Sequence, residues 1–283
     1  MKERKLCLVT GASGGIGRSI SRELAAAGYT VILQGRDHDK LVEIRKELRH
    51  NSHAVFGDLT NKKDRTRILN EAFHYGDIEL LVNNAGSSFF SSFADSDPED
   101  LESLMDINLL SPVLFTHQFL KHINTVNEAY GIQHQTTIVN VGSTFGSIGY
   151  PGFSLYCAGK FGLRGFTESL SRELADTHIR MLYFAPRATN TKINSKIVDD
   201  MNKVLGNACD SPEFVGKEFM ALLNSHKIRK FVGWPEKILV RLNGAFPEIV
   251  DGAIASKLQK IKQFLSLEKK TMRSSKIALV EEK

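Results

Sequence analysis

A tyrosine and a lysine, Tyr156 and Lys160, stand four positions apart in the stretch YCAGK. On a helix this spacing places both side chains on one face, one turn apart. The phenol of a free tyrosine has a pKa of about 10. A neighbouring ammonium group favours the phenolate and lowers that pKa. Such a pair could act as an acid and base in a proton transfer. The same spacing also fits two ordinary residues on a helix surface, so the surrounding elements must decide.

A glycine-rich stretch, TGASGGIG from Thr10 to Gly17, lies near the start of the chain. It follows a short apolar run and precedes a helical pattern. Glycines permit a tight turn and a close approach of the backbone to a pyrophosphate, and the N-terminus of a helix offers free N–H groups and a partial positive charge. The strand–loop–helix context favours dinucleotide binding over a plain turn.

Apolar runs alternate with helical patterns from the start of the chain. The runs are 6–10, 29–34, 53–56, 78–83, 136–141 and 179–185, and FVGW at 231–234 is a candidate last strand. This alternation predicts an α/β fold with a doubly wound parallel sheet. The candidate boundary lies near Gly233–Pro235. We therefore expect a catalytic domain over 1–234 and a basic, partly amphipathic helical extension over 235–283.

The composition and the distribution of charge argue against a nucleic-acid-binding domain. The chain has 283 residues, 42% hydrophobic and 24% charged, with a net charge of +5. Between Lys257 and Lys276 seven Lys or Arg and one Glu give a local excess of six, which leaves the remainder near neutral (5 − 6 = −1). The basic character is thus a property of the tail and argues against nucleic-acid binding by the domain.

The cysteines and histidines indicate neither a disulfide framework nor a metal site. Three unpaired cysteines fit a reducing compartment, and none of the nine histidines stands in a recognisable ligand spacing. The N-terminus has no long apolar region of a signal peptide, and no apolar run reaches the length of a spanning helix. We expect a cytoplasmic protein without a metal.

The glycine spacing G-x-x-x-G-x-G at Gly11, Gly15 and Gly17 resembles that of the short-chain dehydrogenase/reductase family. Further motifs match the family in order, over roughly residues 5–233. They are NNAG at 83–86, Asn108 in a helix, Ser143 in NVGS, YCAGK at 156–160, and PRATNT at 186–191 where the family commonly has PGxVxT. The resemblance implies a Rossmann fold and hydride transfer between a nicotinamide cofactor and a carbonyl or alcohol.

Roles for four side chains follow from the resemblance. Tyr156 exchanges the proton, and Lys160 lowers the tyrosine pKa and holds the nicotinamide ribose. Ser143 donates a hydrogen bond to the substrate oxygen, and Asn108 holds a water that links the lysine to solvent. A simpler interpretation of Ser143 is a turn residue at the end of a strand. A simpler interpretation of Asn108 is a polar residue packed inside a helix.

The cofactor contacts that the resemblance implies extend along the chain. They are Gly11, Ser13, Gly15, Ile16, Gly17, Arg36, Asp58, Leu59, Asn84, Ala85, Gly86, Tyr156, Lys160, Thr189 and Thr191. An NAD enzyme usually ends its second strand with an acidic residue, but Gly35 stands at that position. The following Arg36 suits the 2′-phosphate of NADP, so we expect NADP(H) to be preferred over NAD(H). Alternatively, Arg36 faces solvent. Asp37 is better placed as a helix N-cap.

Two features depart from the family pattern. Arg187 replaces the usual glycine, and it either pairs with an anionic part of the substrate or points outward from its loop. The region 192–214 is expected to cover the substrate, and its apolar residues suggest a lipophilic carbonyl compound (acyl, steroid or aromatic ketone). These residues also fit packing on the domain.

The extension carries apolar residues at intervals of three and four, interleaved with Lys257, Lys260 and Lys262. Such a helix fits packing on its own domain or on a partner subunit, or peripheral contact with an anionic membrane. The leading function is an NADPH-dependent oxidoreductase acting on a small carbonyl or alcohol, in a homodimer or homotetramer. The alternatives are a non-catalytic dinucleotide-binding regulator and a family epimerase or dehydratase.

Overall fold

A computed structural model describes residues 5–131 and 133–281 of the chain. Seven parallel strands form one sheet in the order β3-β2-β1-β4-β5-β6-β7. The strands are β1 (Leu6–Val9), β2 (Thr30–Gly35), β3 (Ser52–Phe56), β4 (Ile78–Asn83), β5 (Thr136–Val141), β6 (Ile179–Ala185) and β7 (Arg229–Phe231). The sheet is the doubly wound Rossmann type, which confirms the predicted fold class.

Eleven helices are found in the described part of the chain. They are α1 (Gly15–Ala26), α2 (His38–Leu48), α3 (Lys62–His74), α4 (Pro98–Met105), α5 (Ser111–Tyr130), α6 (Ser154–Glu173), α7 (Lys196–Val204), α8 (Pro212–Leu223), α9 (Glu236–Ala245), α10 (Pro247–Ala255) and α11 (Leu258–Glu281). Within that part, no helix combines the length and apolar character needed to cross a bilayer.

Alternating strand residues fill two cores, one on each face of the sheet. Cys7 and Val9 of β1 lie in a core with apolar side chains of α1, α2 and α8. Leu6 and Leu8 lie in the opposite core, which α3 and α5 complete and α6 borders. Because successive side chains of a strand point to opposite faces, a strand covered on both faces is apolar throughout. This explains the continuous apolar runs of the sequence.

The last strand differs from its predicted position. The sequence suggested 231–234, whereas β7 spans Arg229–Phe231 and pairs with β6. Val232 still donates its N–H to the carbonyl of Ala185. Gly233 then adopts φ 91°, a left-handed conformation that ends an extended strand. The chain turns there into α9.

The helix in which the sequence places Asn108 is divided by a wider turn. Between α4 and α5 the chain forms a π-helical turn, Asp106–Leu110. Such single turns are rare and are frequently found at functional sites. The turn contains Asn108, one of the predicted site residues. The predicted cap of α2 is confirmed, since Asp37 accepts a hydrogen bond from the backbone N–H of Lys40 at 3.1 Å.

The division of the chain into a domain over 1–234 and an extension over 235–283 remains a prediction. Residues 1–4 of the first part and 282–283 of the second lie outside the described residues. After β7 the chain is helical. A small cluster joins Val240 of α9 and Val250 of α10 to Ile148 and Phe231 of the domain. Ile261 of α11 is fully buried in a separate cluster with α7.

Candidate active site

Many of the predicted site residues follow four neighbouring strands. The carboxyl ends of β1, β4, β5 and β6 meet at one edge of the sheet, and ligands of open α/β sheets bind at that edge. The glycine loop follows β1, and Asn84 to Gly86 follow β4. Ser143 follows β5, and Thr189 and Thr191 follow β6.

The glycine loop fits a pyrophosphate. Gly11 has φ 62°, and a Cβ added to it would lie 2.8 Å from Cα of Ala85. A Cβ on Gly17 would collide with the carbonyl of Gly11. Gly14 caps α1 without a side-chain hydrogen bond, so no side chain competes for the N–H groups of the first helical turn. An anion is well suited to those groups. Ile16 lies in that turn, partly buried against the core.

Asn84 and Ala85 hold the glycine loop in place. The Asn84 side-chain amide donates to the carbonyls of Thr10 and Gly11, both at 3.1 Å. The backbone N–H of Ala85 donates to Oγ1 of Thr10 at 3.0 Å. Both residues were predicted to bind the cofactor. Their described contacts are to the loop, so direct contact with the cofactor stays a prediction.

Asn108 is buried in the π-helical turn and fixes the segment after β4. Its Nδ2 donates to the carbonyls of Ser87 at 2.9 Å and Leu104 at 3.1 Å, and its Oδ1 accepts from the N–H of Ser87 at 3.3 Å. A Cβ on Gly86 would lie 2.7 Å from Oδ1 of Asn108 and 3.5 Å from Nζ of Lys160. Glycine therefore keeps open a space between the asparagine and the lysine, as a bridging water would require.

Tyr156 and Lys160 lie one turn apart on α6. Nζ of Lys160 lies 5.8 Å from the centre of the Tyr156 ring and donates to the carbonyl of Val141 at 3.2 Å. Lys160 is buried, and burial lowers its pKa to about 8. The sequence did not single out Val141, because a backbone acceptor leaves no signal in residue types.

The pKa of Tyr156 differs from expectation. We expected the lysine to lower its pKa, whereas burial raises the pKa of Tyr156 to about 12. A hydrogen bond with the Ser143 side chain acts in the opposite direction but is the smaller effect. Removal of the phenolate from water dominates the pKa of this tyrosine. Tyr156 is therefore protonated at neutral pH.

Ser143 is positioned by its own turn and by β6. Its Oγ accepts a hydrogen bond from the N–H of Phe145 at 3.1 Å. The Tyr183 hydroxyl donates to the carbonyl of Ser143 at 3.3 Å and lies 3.4 Å from its N–H. A Cβ on Gly142 or Gly146 would collide with Tyr183. Tyr183 thus fixes the serine loop, a role that sequence reasoning missed although a tyrosine inside an apolar strand was a visible signal.

The residues predicted around the adenosine lie after β2 and β3. Arg36 is 73% exposed, and its NH1 lies 3.4 Å from Oδ2 of Asp58. A Cβ on Gly35 would lie 3.3 Å from Oγ of Ser13. Leu59 has its side chain in the core, so a contact with adenine would come from its backbone.

The two threonines after β6 have different surroundings. Thr189 is buried, and its hydroxyl donates to the carbonyl of Arg187 at 2.9 Å. Thr191 contacts the glycine loop, since its Cγ2 would lie 2.6 Å from a Cβ on Gly15. The methyl group of Thr191 thus lies beside the loop predicted to bind the pyrophosphate.

Arg187 neither points outward nor stands free for a substrate anion. Its guanidinium forms two hydrogen bonds with Asp210, at 2.7 and 2.9 Å, and an ion pair with Glu236 at 3.0 Å. A further bond joins it to the carbonyl of Trp234 at 3.0 Å. Both expectations for this residue were wrong, because its partners come from distant segments. Arg187 ties the region 192–214, through Asp210, to the start of α9.

Comparison with known proteins decides the family. The profile of the short chain dehydrogenase family matches residues 5–202. The chain belongs to this family. It is an oxidoreductase of the class that interconverts CH–OH and C=O groups.

Similar proteins are named as reductases. A 3-oxoacyl-[acyl-carrier-protein] reductase from Rickettsia felis is 31% identical over 201 residues, 71% of this chain and 79% of that one. A diacetyl reductase from Staphylococcus epidermidis is 26% identical over 80% of this chain and 86% of that one. The crystal structure of a 3-ketoacyl-(acyl-carrier-protein) reductase from Brucella melitensis, complexed with NADH, has a TM-score of 0.74 at 25% identity, covering 83% of this chain and 98% of that one.

Proposed function

We propose that this protein is an NADPH-dependent reductase of lipophilic carbonyl compounds that also oxidises the corresponding alcohols. The observation that carries the proposal is the meeting of Tyr156, Ser143 and Lys160 at the sheet edge that holds the open N-terminus of α1. A non-catalytic regulator on this fold would have no need for a tyrosine beside a buried lysine. The same pair is compatible with a family epimerase or dehydratase, which the substrate assay below distinguishes.

The side chains divide the work of carbonyl reduction. A bound nicotinamide supplies the hydride. Tyr156, protonated at neutral pH, donates a proton to the oxygen that becomes the alcohol, and the Ser143 hydroxyl stabilises negative charge on that oxygen. Lys160, charged below about pH 8, holds the ribose and passes a proton toward Tyr156. Asn108 orders the water that connects the lysine with solvent.

NADPH preference is supported by the end of β2. Gly35 provides no carboxylate for a ribose hydroxyl, and the exposed Arg36 is free to swing toward a 2′-phosphate from its weak contact with Asp58. We expect Arg36→Ala to raise KM for NADPH about tenfold and to leave KM for NADH unchanged. Arg45→Ala, an exposed arginine at the other end of α2, is the matched control. A wild-type protein that used NADH more efficiently would overturn the preference.

A lipophilic substrate is supported by the apolar surroundings of Tyr156. Phe145 and Phe153 lie with ring centres 6.4 and 6.3 Å from the Tyr156 ring, and the buried side chains of Val198 and Met201 on α7 belong to the same cluster. The test follows NADPH oxidation with aryl ketone, steroid, sugar, quinone and acyl thioester carbonyls. NADPH binding without turnover of any of them would favour the regulator.

Assembly and location are proposals that rest on the family and on the cysteines. Members of the family typically oligomerise, and we propose a homodimer or homotetramer. All three cysteines are free, which suits the reducing cytoplasm. Light scattering coupled to size-exclusion chromatography tests the assembly, and a monomer at micromolar concentration would contradict it.

Peripheral membrane contact is a further proposal for the extension. Phe246 and Ile249, at the junction of α9 and α10, are 58% and 57% exposed, and Lys260 and Lys262 follow on the exposed side of α11. Apolar tips flanked by lysines suit an anionic lipid surface. Co-sedimentation with phosphatidylserine vesicles, lost in Phe246→Ser, is the expected result. Equal amounts of protein in the pellet with and without vesicles would contradict the proposal.

A further inference from the structure

Helix α11 packs against the apolar cluster that Tyr156 borders. Lys269 forms an ion pair at 2.6 Å with Asp95, in the segment after β4. Glu268 accepts a hydrogen bond at 3.4 Å from Ser195, the N-cap of α7, and Lys257 donates one at 3.5 Å to the carbonyl of Leu205 just after α7. The helix is thus joined to both segments that border the site.

Apolar contacts fill the space beneath α11. Ile261 is fully buried, and Phe264 and Leu265 are partly buried in the same cluster that Tyr156 borders. Cδ2 of Leu265 would lie 3.0 Å from a Cβ on Gly152, in the turn that leads into α6. The side chains of α11 therefore belong to the apolar surroundings of the tyrosine.

A helix packed beside the site would limit the size of what can enter. The helix has 24 residues and so a length of about 36 Å, comparable with the diameter of a small domain. An acyl group on a carrier protein stays covalently attached to its carrier through a long arm during reduction. The mouth of the site must then accommodate both the arm and the docked carrier. A free ketone needs room only for itself.

We propose that α11 forms the outer wall of the substrate pocket and restricts this protein to compact, apolar carbonyl compounds that are not attached to a carrier protein. Phe264 and Leu265 then set the size of the group that is accepted beside the carbonyl. This inference rests on the proposed function and narrows its substrate class. It separates this chain from relatives that are named as acyl-carrier-protein reductases.

A matched pair of leucines on α11 tests the wall. Leu265 faces the cluster, whereas Leu267 is 49% exposed on the same helix. The assay measures kcat/KM with NADPH for methyl phenyl ketone, methyl naphthyl ketone and an acetoacetyl group on acyl carrier protein. We expect the wild-type protein to prefer the phenyl ketone and to reduce the carrier-bound group at least a hundredfold less efficiently.

Removal of the Leu265 side chain enlarges the pocket, so Leu265→Ala should raise the naphthyl-to-phenyl efficiency ratio on the order of tenfold. Leu267→Ala should leave this ratio unchanged, and both variants should keep the wild-type affinity for NADPH. Equal ratios in the two variants, or efficient reduction of the carrier-bound group, would overturn the inference. Failure of the wild-type protein to reduce any carbonyl would overturn the proposed function itself.

Discussion

Replacement of Lys160 by methionine should abolish activity and, without cofactor, stabilise the protein at neutral pH. The lysine is buried, and burial lowers its pKa from 10.5 to about 8. A folded-state pKa below the unfolded value means that folding opposes protonation of the amine. The cost is fully present below pH 8 and disappears as the pH rises above the unfolded value.

The size of the effect follows from this shift. A pKa lowered from 10.5 to about 8 corresponds to about 3 kcal/mol of unfavourable burial at pH 7. Methionine fills a similar volume without charge, but it loses the hydrogen bond to Val141, which offsets about 1–2 kcal/mol. We expect Lys160→Met to be more stable than the wild-type protein by about 1–2 kcal/mol at pH 7.

The pH dependence makes the prediction specific. At pH 9.5 the burial cost has fallen by about 2 kcal/mol, so the advantage of the methionine variant should vanish. Urea unfolding at both pH values measures the difference. Lys260→Met, at an exposed position on α11, is the control and should change stability by less than about 0.5 kcal/mol. A Lys160→Met variant that is less stable than wild type at pH 7 would refute the reasoning.

Three further predictions concern other parts of the site. Gly17→Ala should weaken NADPH binding at least about tenfold in a fluorescence titration, because its Cβ collides with the carbonyl of Gly11, whereas Gly14→Ala, with a Cβ 3.5 Å from that oxygen, should bind nearly normally. Arg187→Ala leaves Asp210 without its partner and should lower the free energy of unfolding by about 2–4 kcal/mol in urea; an unchanged midpoint would contradict the network. The kcat/KM for reduction should be constant below about pH 8 and fall above it as Lys160 loses its proton, and a flat profile to pH 10 would contradict this assignment.

The fold and the position of the site were accessible from the sequence because both depend on local patterns. A strand covered on two faces is apolar throughout, so the first six strands are recognisable as apolar runs. In a parallel sheet the residues that follow the strands meet at one edge. The glycine loop, Ser143 and YCAGK therefore converge without any knowledge of side-chain contacts.

The properties that were missed depend on residues far apart in the chain. The prediction that Lys160 lowers the pKa of Tyr156 used only two residues of one helix. The pKa of Tyr156 is raised instead, because all the segments around the site bury the phenol. The position of Arg187, where the family commonly has glycine, could not reveal Asp210 and Glu236 as its partners. The packing of α11 likewise depends on tertiary contacts that an amphipathic pattern does not specify, because such a pattern fits a membrane, a partner or the domain equally well.

The central claim is that Tyr156 supplies the proton in a hydride-transfer reaction. The most direct measurement compares Tyr156→Phe with the wild-type protein in single-turnover oxidation of NADPH by an aryl ketone, together with fluorescence titration of NADPH. We expect the variant to lose about a thousandfold or more in rate while its affinity for NADPH stays within about twofold. A variant that retains more than about a tenth of the wild-type rate would contradict the assignment of Tyr156.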